Sequence, residues 1–147
     1  MIPDIYSIVV FMHVVSAVLA IGPLFILMPI IKRLSDVETK IEAAYLTIVK
    51  VIIRVVMHAG HALVVTGVVL IILGPWPWHT SWVVMTVLVM GVSAVFLATG
   101  FTRVLRVFNA PGARKRDNLK RLNRTSWVYI VLMLIMLWLM VQKPTFW

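Results

Sequence analysis

IYSIVVFMHVVSAVLAIGPLFILMPIIKR, residues 5–33, holds no Asp, Glu, Lys or Arg before its closing Lys32-Arg33. A helix needs about 20 mostly apolar residues to cross about 30 Å of hydrocarbon, so this run crosses with length to spare. It is too long for a signal-peptide core, has no basic leader, and ends at a charged stop. Within lipid, only a helix satisfies the backbone of such an isolated span.

Working outward from that first run, at about 5–31, three more follow at about 40–73, 82–108 and 126–141. The expected fold is an all-α integral membrane protein, a four-transmembrane-helix bundle forming a single domain over residues 1–147. Loops at about 32–40 and 109–125 would join the helices on one side. Composition agrees: 62% of the chain is hydrophobic and 13% charged, against about 45–50% and 25% in soluble domains. Mean hydropathy is +1.03.

Orientation follows from the basic residues. Lys32, Arg33 and Lys40 lie in the first connection, with Lys50 and Arg54 further along. The third holds Arg103, Arg106, Arg114, Lys115, Arg116, Lys120, Arg121 and Arg124, whereas the other side has only Lys143. The positive-inside rule makes both basic loops cytoplasmic and leaves the termini outside, an N-out/C-out arrangement in the cytoplasmic membrane. The net charge of +9 is thus explained by the bilayer, and no nucleic-acid partner is expected. Trp76, Trp78, Trp82, Trp138, Phe146 and Trp147 would anchor the outer boundary, with Trp127 and Tyr129 at the inner one. Gly74-Pro75-Trp76-Pro77-Trp78 reads as a tight interfacial turn, and Asn109-Ala110-Pro111-Gly112 as the break after the third helix. From Lys40 to Leu73 the second helix would measure about 51 Å, so its first turns should extend beyond the hydrocarbon.

With no cysteine in the chain, disulfide, iron–sulfur, thiolate-haem and Cys-zinc chemistry are excluded. The spans contain no Asp or Glu in their interiors, which argues against a carboxylate-driven carrier. They do contain His13 in the first, and His58 and His61 in the second. Ionisable groups within a membrane are costly and serve as functional candidates by default. Their alternative role is to pin helices together by hydrogen bonding. His13 lies about 12 Å inward from Ile5 and His61 about 18 Å from Leu73, so adjacent helices could direct them toward one ligand. Ser16, Ala17 and Ala20 follow His13 at helical spacings, which suits either room for a planar macrocycle or close helix packing. Lys40, Ala43, Thr47, Lys50, Arg54, His58 and His61 recur at spacings of three or four, forming one stripe. Arg54, with Lys50, is expected either to pair a haem propionate from that stripe or to snorkel to lipid phosphate. Gly60, Gly67 and Gly74 lie on the other side and mark a close helix contact. His79 follows the Trp-Pro turn and is expected to be solvated.

The segment Phe11-Met12-His13-Val14-Val15-Ser16-Ala17-Val18-Leu19-Ala20-Ile21-Gly22-Pro23-Leu24-Phe25 resembles the first helix of the DUF2269 family of bacterial membrane proteins. The size, four-helix layout and basic final loop are similar too. The chain is more loosely similar to the CopD copper-resistance and HemJ protoporphyrinogen-oxidase membrane families, which also carry a histidine in an opening helix. The resemblance implies haem b or copper, ligated by histidines within the membrane.

The leading expectation is therefore a haem b-binding membrane protein with redox or small-gas (NO or O2) chemistry, as a haem-dependent oxidoreductase if it is an enzyme. His13 and one of His58 or His61 would bind or flank the iron. Two histidines suit electron transfer with a redox partner, while one leaves a position open to gas. The alternative is copper handling by a three-nitrogen site of His13, His58 and His61. A third reading is a non-enzymatic assembly or partner protein. A homodimer could form through the glycine face of the second helix or through Gly91, Ala94 and Ala98 on the third.

Overall fold

A computed structural model describes residues 4–36, 39–108, 110 and 114–147. Helix α1 spans Ile5–Leu34, α2 Thr39–Leu73 and α3 Ser81–Phe96. A π-helical turn at Leu97–Phe101 leads into α4, Thr102–Phe108, and α5 covers Lys115–Gln142. Since α3, the π turn and α4 run on as one span, the described residues form four helices long and apolar enough to cross a membrane. The all-α four-span fold is thus as expected. The break at 109–112 falls, apart from Ala110, outside the described residues, as does the Lys40 side chain at the start of the basic stripe.

The last helix begins at Lys115 rather than at 126. Lys, Arg and Leu propagate helix well, and Asp117 in the first turn suits the positive end of the helix dipole. The basic opening also buries Leu119, Leu122 and Thr125 at helical spacing. Hydropathy alone does not see an amphipathic extension of this kind. Lys115 pairs with Glu42 of α2 at 3.1 Å, which ties the two basic-end extensions together.

Each helix buries one stripe. On α1 it is His13, Ser16, Ala20, Leu24, Leu27, Ile31 and Leu34, spaced as a single helix face. The opposite face exposes Phe11, Val14, Val18 and Phe25, apolar side chains that suit lipid contact. Helices α1 and α2 pair most extensively, α3 packs on α5, and α5 returns to α1. The bundle is therefore two antiparallel hairpins laid side by side.

Small residues set the closeness of these contacts, as expected where lipid removes the hydrophobic drive for helix association. A Cβ on Gly60 would overlap the Leu97 side chain and meet the Tyr129 hydroxyl at 3.1 Å. One on Gly67 would meet His13 Cε1 and Met90 Sδ, each at 3.2 Å. The glycine side of α2 is thus a contact within the chain. Tyr129 departs from its expected place at the inner boundary: it is fully buried, edge-on to Phe101 with ring centres 5.8 Å apart. The reason is its phase on α5, one turn from Ser126 and Met133, both in the buried stripe.

At the end carrying both termini, Trp76 and Trp82 meet edge to face at 5.2 Å. Lys143 caps α5 in the left-handed conformation, φ 47°. Its Nζ lies 4.3 Å from the Trp76 ring centre and 5.5 Å from that of Trp82, within cation–π range. Buried Ser81 then holds the tail: its hydroxyl donates to the Pro144 carbonyl at 3.0 Å and accepts from Phe146 N–H at 2.9 Å. Trp147 Nε1–H donates to the His79 carbonyl at 3.0 Å.

Candidate functional site

His13 is 7% exposed and faces α2. Its Nδ1 lies 2.9 Å from Thr66 Oγ1. The Thr66 hydroxyl has one proton, and at 2.7 Å from the Ala62 carbonyl it donates that proton there, because a carbonyl only accepts. With the hydroxyl proton directed there, Thr66 Oγ1 accepts from Nδ1–H. In the neutral ring that tautomer carries its lone pair on Nε2. This is the form in which histidine ligates a metal while its other nitrogen is fixed by an outer partner.

Two openings meet at His13. One is a cavity of 160 Å³ near the termini, lined also by Tyr6, Thr86, Met90, Met140 and Lys143. The Thr86 hydroxyl is buried and has no hydrogen-bond partner among the described residues. The other is an apolar groove of 500 Å³ between α1 and α5, bordered by Ala17, Gly22, Leu63, Met136 and Met140. That volume lies in the range of about 300–1,000 Å³ usual for cofactor sites. Its small residues on α1 leave backbone accessible to a flat ligand.

The other expected residues lie elsewhere. His58, His61 and Arg54 are exposed and Lys50 is half-buried, so the stripe on α2 points out of the bundle. His61 Nδ1–H donates to the Met57 carbonyl of its own helix at 2.6 Å. His61 is about 7.5 Å along α2 from Thr66, and Arg54 about 18 Å, at 1.5 Å per residue. The structure does not bring His13 together with His58, His61, Arg54 or Lys50. Ser16 is buried, but its hydroxyl donates to the Met12 carbonyl at 2.8 Å. Ala17 does line the groove. Among the described residues, no three His, Asp or Glu side chains cluster to hold a metal ion.

A family model described as "Predicted integral membrane protein (DUF2269)" matches residues 7–144. The chain belongs to the DUF2269 family. The match runs from α1 to the end of α5 and includes His13, Thr66, Thr86 and Met140. No curated protein and no solved structure matches the chain.

Sequence reasoning had His13 but missed Thr66, Thr86 and Met140. Depth alone could have found Thr66. It lies about 10 Å inward from Leu73, close to the 12 Å of His13 from Ile5, while His61 at about 18 Å lies deeper. Thr86 carries no comparable signal, because a threonine in a span ordinarily bonds its own helix.

Proposed function

We propose that this DUF2269 chain is a haem b-binding protein of the cytoplasmic membrane, with His13 as the axial ligand and the chemistry of redox or small gases (NO or O2). The observation that carries the reading is a buried His13 held through Nδ1 by Thr66 and lining an apolar groove of cofactor size. When bound, haem would supply one-electron and gas-binding chemistry. Thr66 orients the imidazole, Ala17 and Gly22 leave the groove open, and the aliphatic lining excludes water. Lys143, which shares a cavity with His13, would take the propionate-pairing role expected of Arg54 and Lys50.

One chain offers one histidine at this position, which favours an open iron position and gas chemistry over bis-histidine electron transfer. A redox partner would deliver electrons at the membrane surface. A homodimer would use Gly91 of α3 and Ala98 of the π turn, both exposed, since Gly60 and Gly67 are buried within the chain. The termini lie outside and both basic ends inside, by the positive-inside rule. Reporter fusions at Trp147 and within 109–113 test that orientation; an active periplasmic-type reporter in 109–113 would reverse it.

A second reading has its own observation. His13, Met90 and Met140 line one cavity, and imidazole with soft thioethers suits Cu(I). This set replaces the three-histidine site, whose members lie apart.

The deciding experiment is an absorption spectrum of the detergent-purified protein from haem-replete cells, oxidised, reduced, and reduced with carbon monoxide. A Soret band that His13→Ala abolishes supports the reading. A Soret band unchanged in that variant removes His13 as ligand. With no Soret band, bound copper lost in Met140→Ala supports the second reading, and neither metal leaves His13 as a helix-pinning residue.

A further inference from the structure

At the basic end of the bundle, far from His13, α1 and α5 diverge around a groove of 490 Å³. Its rim carries Lys32 from α1 and Arg116 and Lys120 from α5, and all three side chains are exposed. Its floor is apolar, with Ile31 and Leu119 buried and Met28 half-buried beneath them. Trp127 stands exposed at the spanward edge, and Asn123 is half-buried between the two zones. No carboxylate lines the groove among the described residues. Glu42, an acidic side chain of the same end, is engaged by Lys115.

The order of these groups is the argument. Passing along α5 from its start toward the span, one meets Arg116, Lys120, Asn123 and Trp127, at spacings of four, three and four. They occupy one helix face that grades from cationic through polar to aromatic and apolar. A free inorganic anion would need only the cations. A soluble peptide would not meet a groove that runs into the hydrocarbon zone. A molecule with an anionic head and acyl tails matches the whole gradient, and basic pockets between transmembrane helices are the usual seats of such headgroups. We propose that this groove is a binding site for one anionic phospholipid, its phosphate held by Lys32, Arg116 and Lys120 and its glycerol and upper acyl chains resting beside Trp127, Met28 and Leu119. The two cationic helices meet through that shared phosphate, so the lipid joins α1 to α5. This inference is independent of any metal at His13.

The test uses the full-length protein in neutral detergent, titrated with phosphatidylglycerol or phosphatidylcholine and read by native mass spectrometry. Bound phosphatidylglycerol should exceed phosphatidylcholine, and each of Lys32→Gln, Arg116→Gln and Lys120→Gln should weaken it about fivefold, the change expected for one surface cation. The control Arg106→Gln/Arg124→Gln removes two exposed cations outside the groove and should leave binding unchanged. Nanodiscs with bromine-labelled phosphatidylglycerol should quench Trp127, seen as a loss of quenching in Trp127→Phe. Equal weakening by the control would show diffuse attraction and overturn the site. Equal binding of the two lipids would overturn it as well. Full displacement of the lipid by millimolar inorganic phosphate would make it a phosphate site instead.

Discussion

The ring of His13 and the hydroxyl of Thr66 meet at 2.9 Å across the α1–α2 contact, and the hydroxyl donates its own hydrogen bond to the Ala62 carbonyl at 2.7 Å. One side chain therefore orients the histidine and offers an acceptor to its Nδ1–H form. Thr66→Val keeps the shape and removes the acceptor. Under the haem reading, haem affinity should fall about 10- to 100-fold, the usual cost of losing an outer partner to a ligating histidine. Thr66→Ser should restore it. Haem titration of the purified apoprotein measures both, and an unchanged affinity in Thr66→Val would remove Thr66 from the site.

Gly67 is the second constraint on that ring. An added Cβ would press on His13 Cε1 and Met90 Sδ at 3.2 Å each. Methionine adapts readily, whereas His13 is held by Thr66. Under the haem reading, Gly67→Ala should lower haem loading about tenfold with little change in the thermal midpoint, by displacing the ring that would ligate. Gly67→Ala/Met90→Ala should recover only part of the loading, because removing Met90 leaves the new Cβ against His13 Cε1. Full recovery in the double variant would mean that Met90, and not the held ring, is the obstruction.

Much of this architecture could be read from periodicity and charge, and the reason is lipid. Apolar runs such as 5–31 have one backbone solution in hydrocarbon. Phase around the helix is harder, because a transmembrane helix is apolar on every side. Hence His61 and His13 both read as interior residues, although one is exposed and the other buried. Tyr129 failed in the same way, an aromatic near an expected interface that packing on Phe101 draws into the core. The basic opening of α5 was missed for the opposite reason: its charges hide the buried Leu119 and Leu122 from a hydropathy scan.

The tail should report on Ser81. Its hydroxyl makes two hydrogen bonds to residues 144–147 and is fully buried. Ser81→Ala leaves the Pro144 carbonyl and Phe146 N–H without that partner, at a cost of about 1–3 kcal/mol if they stay buried. The tail should instead release locally, since chain ends open at low cost. Amide exchange at Thr145, Phe146 and Trp147 should accelerate at least about tenfold, by the same free-energy scale, while exchange in α5 stays slow. Uniform acceleration along α5 would show that Ser81 supports the whole helix rather than the tail.

Phe101 and Tyr129 provide a test of core against interface. Both are fully buried, with ring planes at 90°. Truncating a buried Phe in a water-soluble core costs about 3–5 kcal/mol, part from transfer and part from the cavity. In a bilayer the unfolded reference stays in an apolar medium, so the transfer part shrinks and the cavity part remains. Phe101→Ala and Tyr129→Ala should each destabilise by about 2–3 kcal/mol on that argument. The double variant should cost less than the two together, because the rings are each other's partners. Tyr129→Phe should change little, as it keeps the ring. Reversible unfolding in mixed micelles checks all four. An interfacial tyrosine would reverse the pattern: Tyr129→Ala would then be nearly neutral, and its effect would add simply to that of Phe101→Ala.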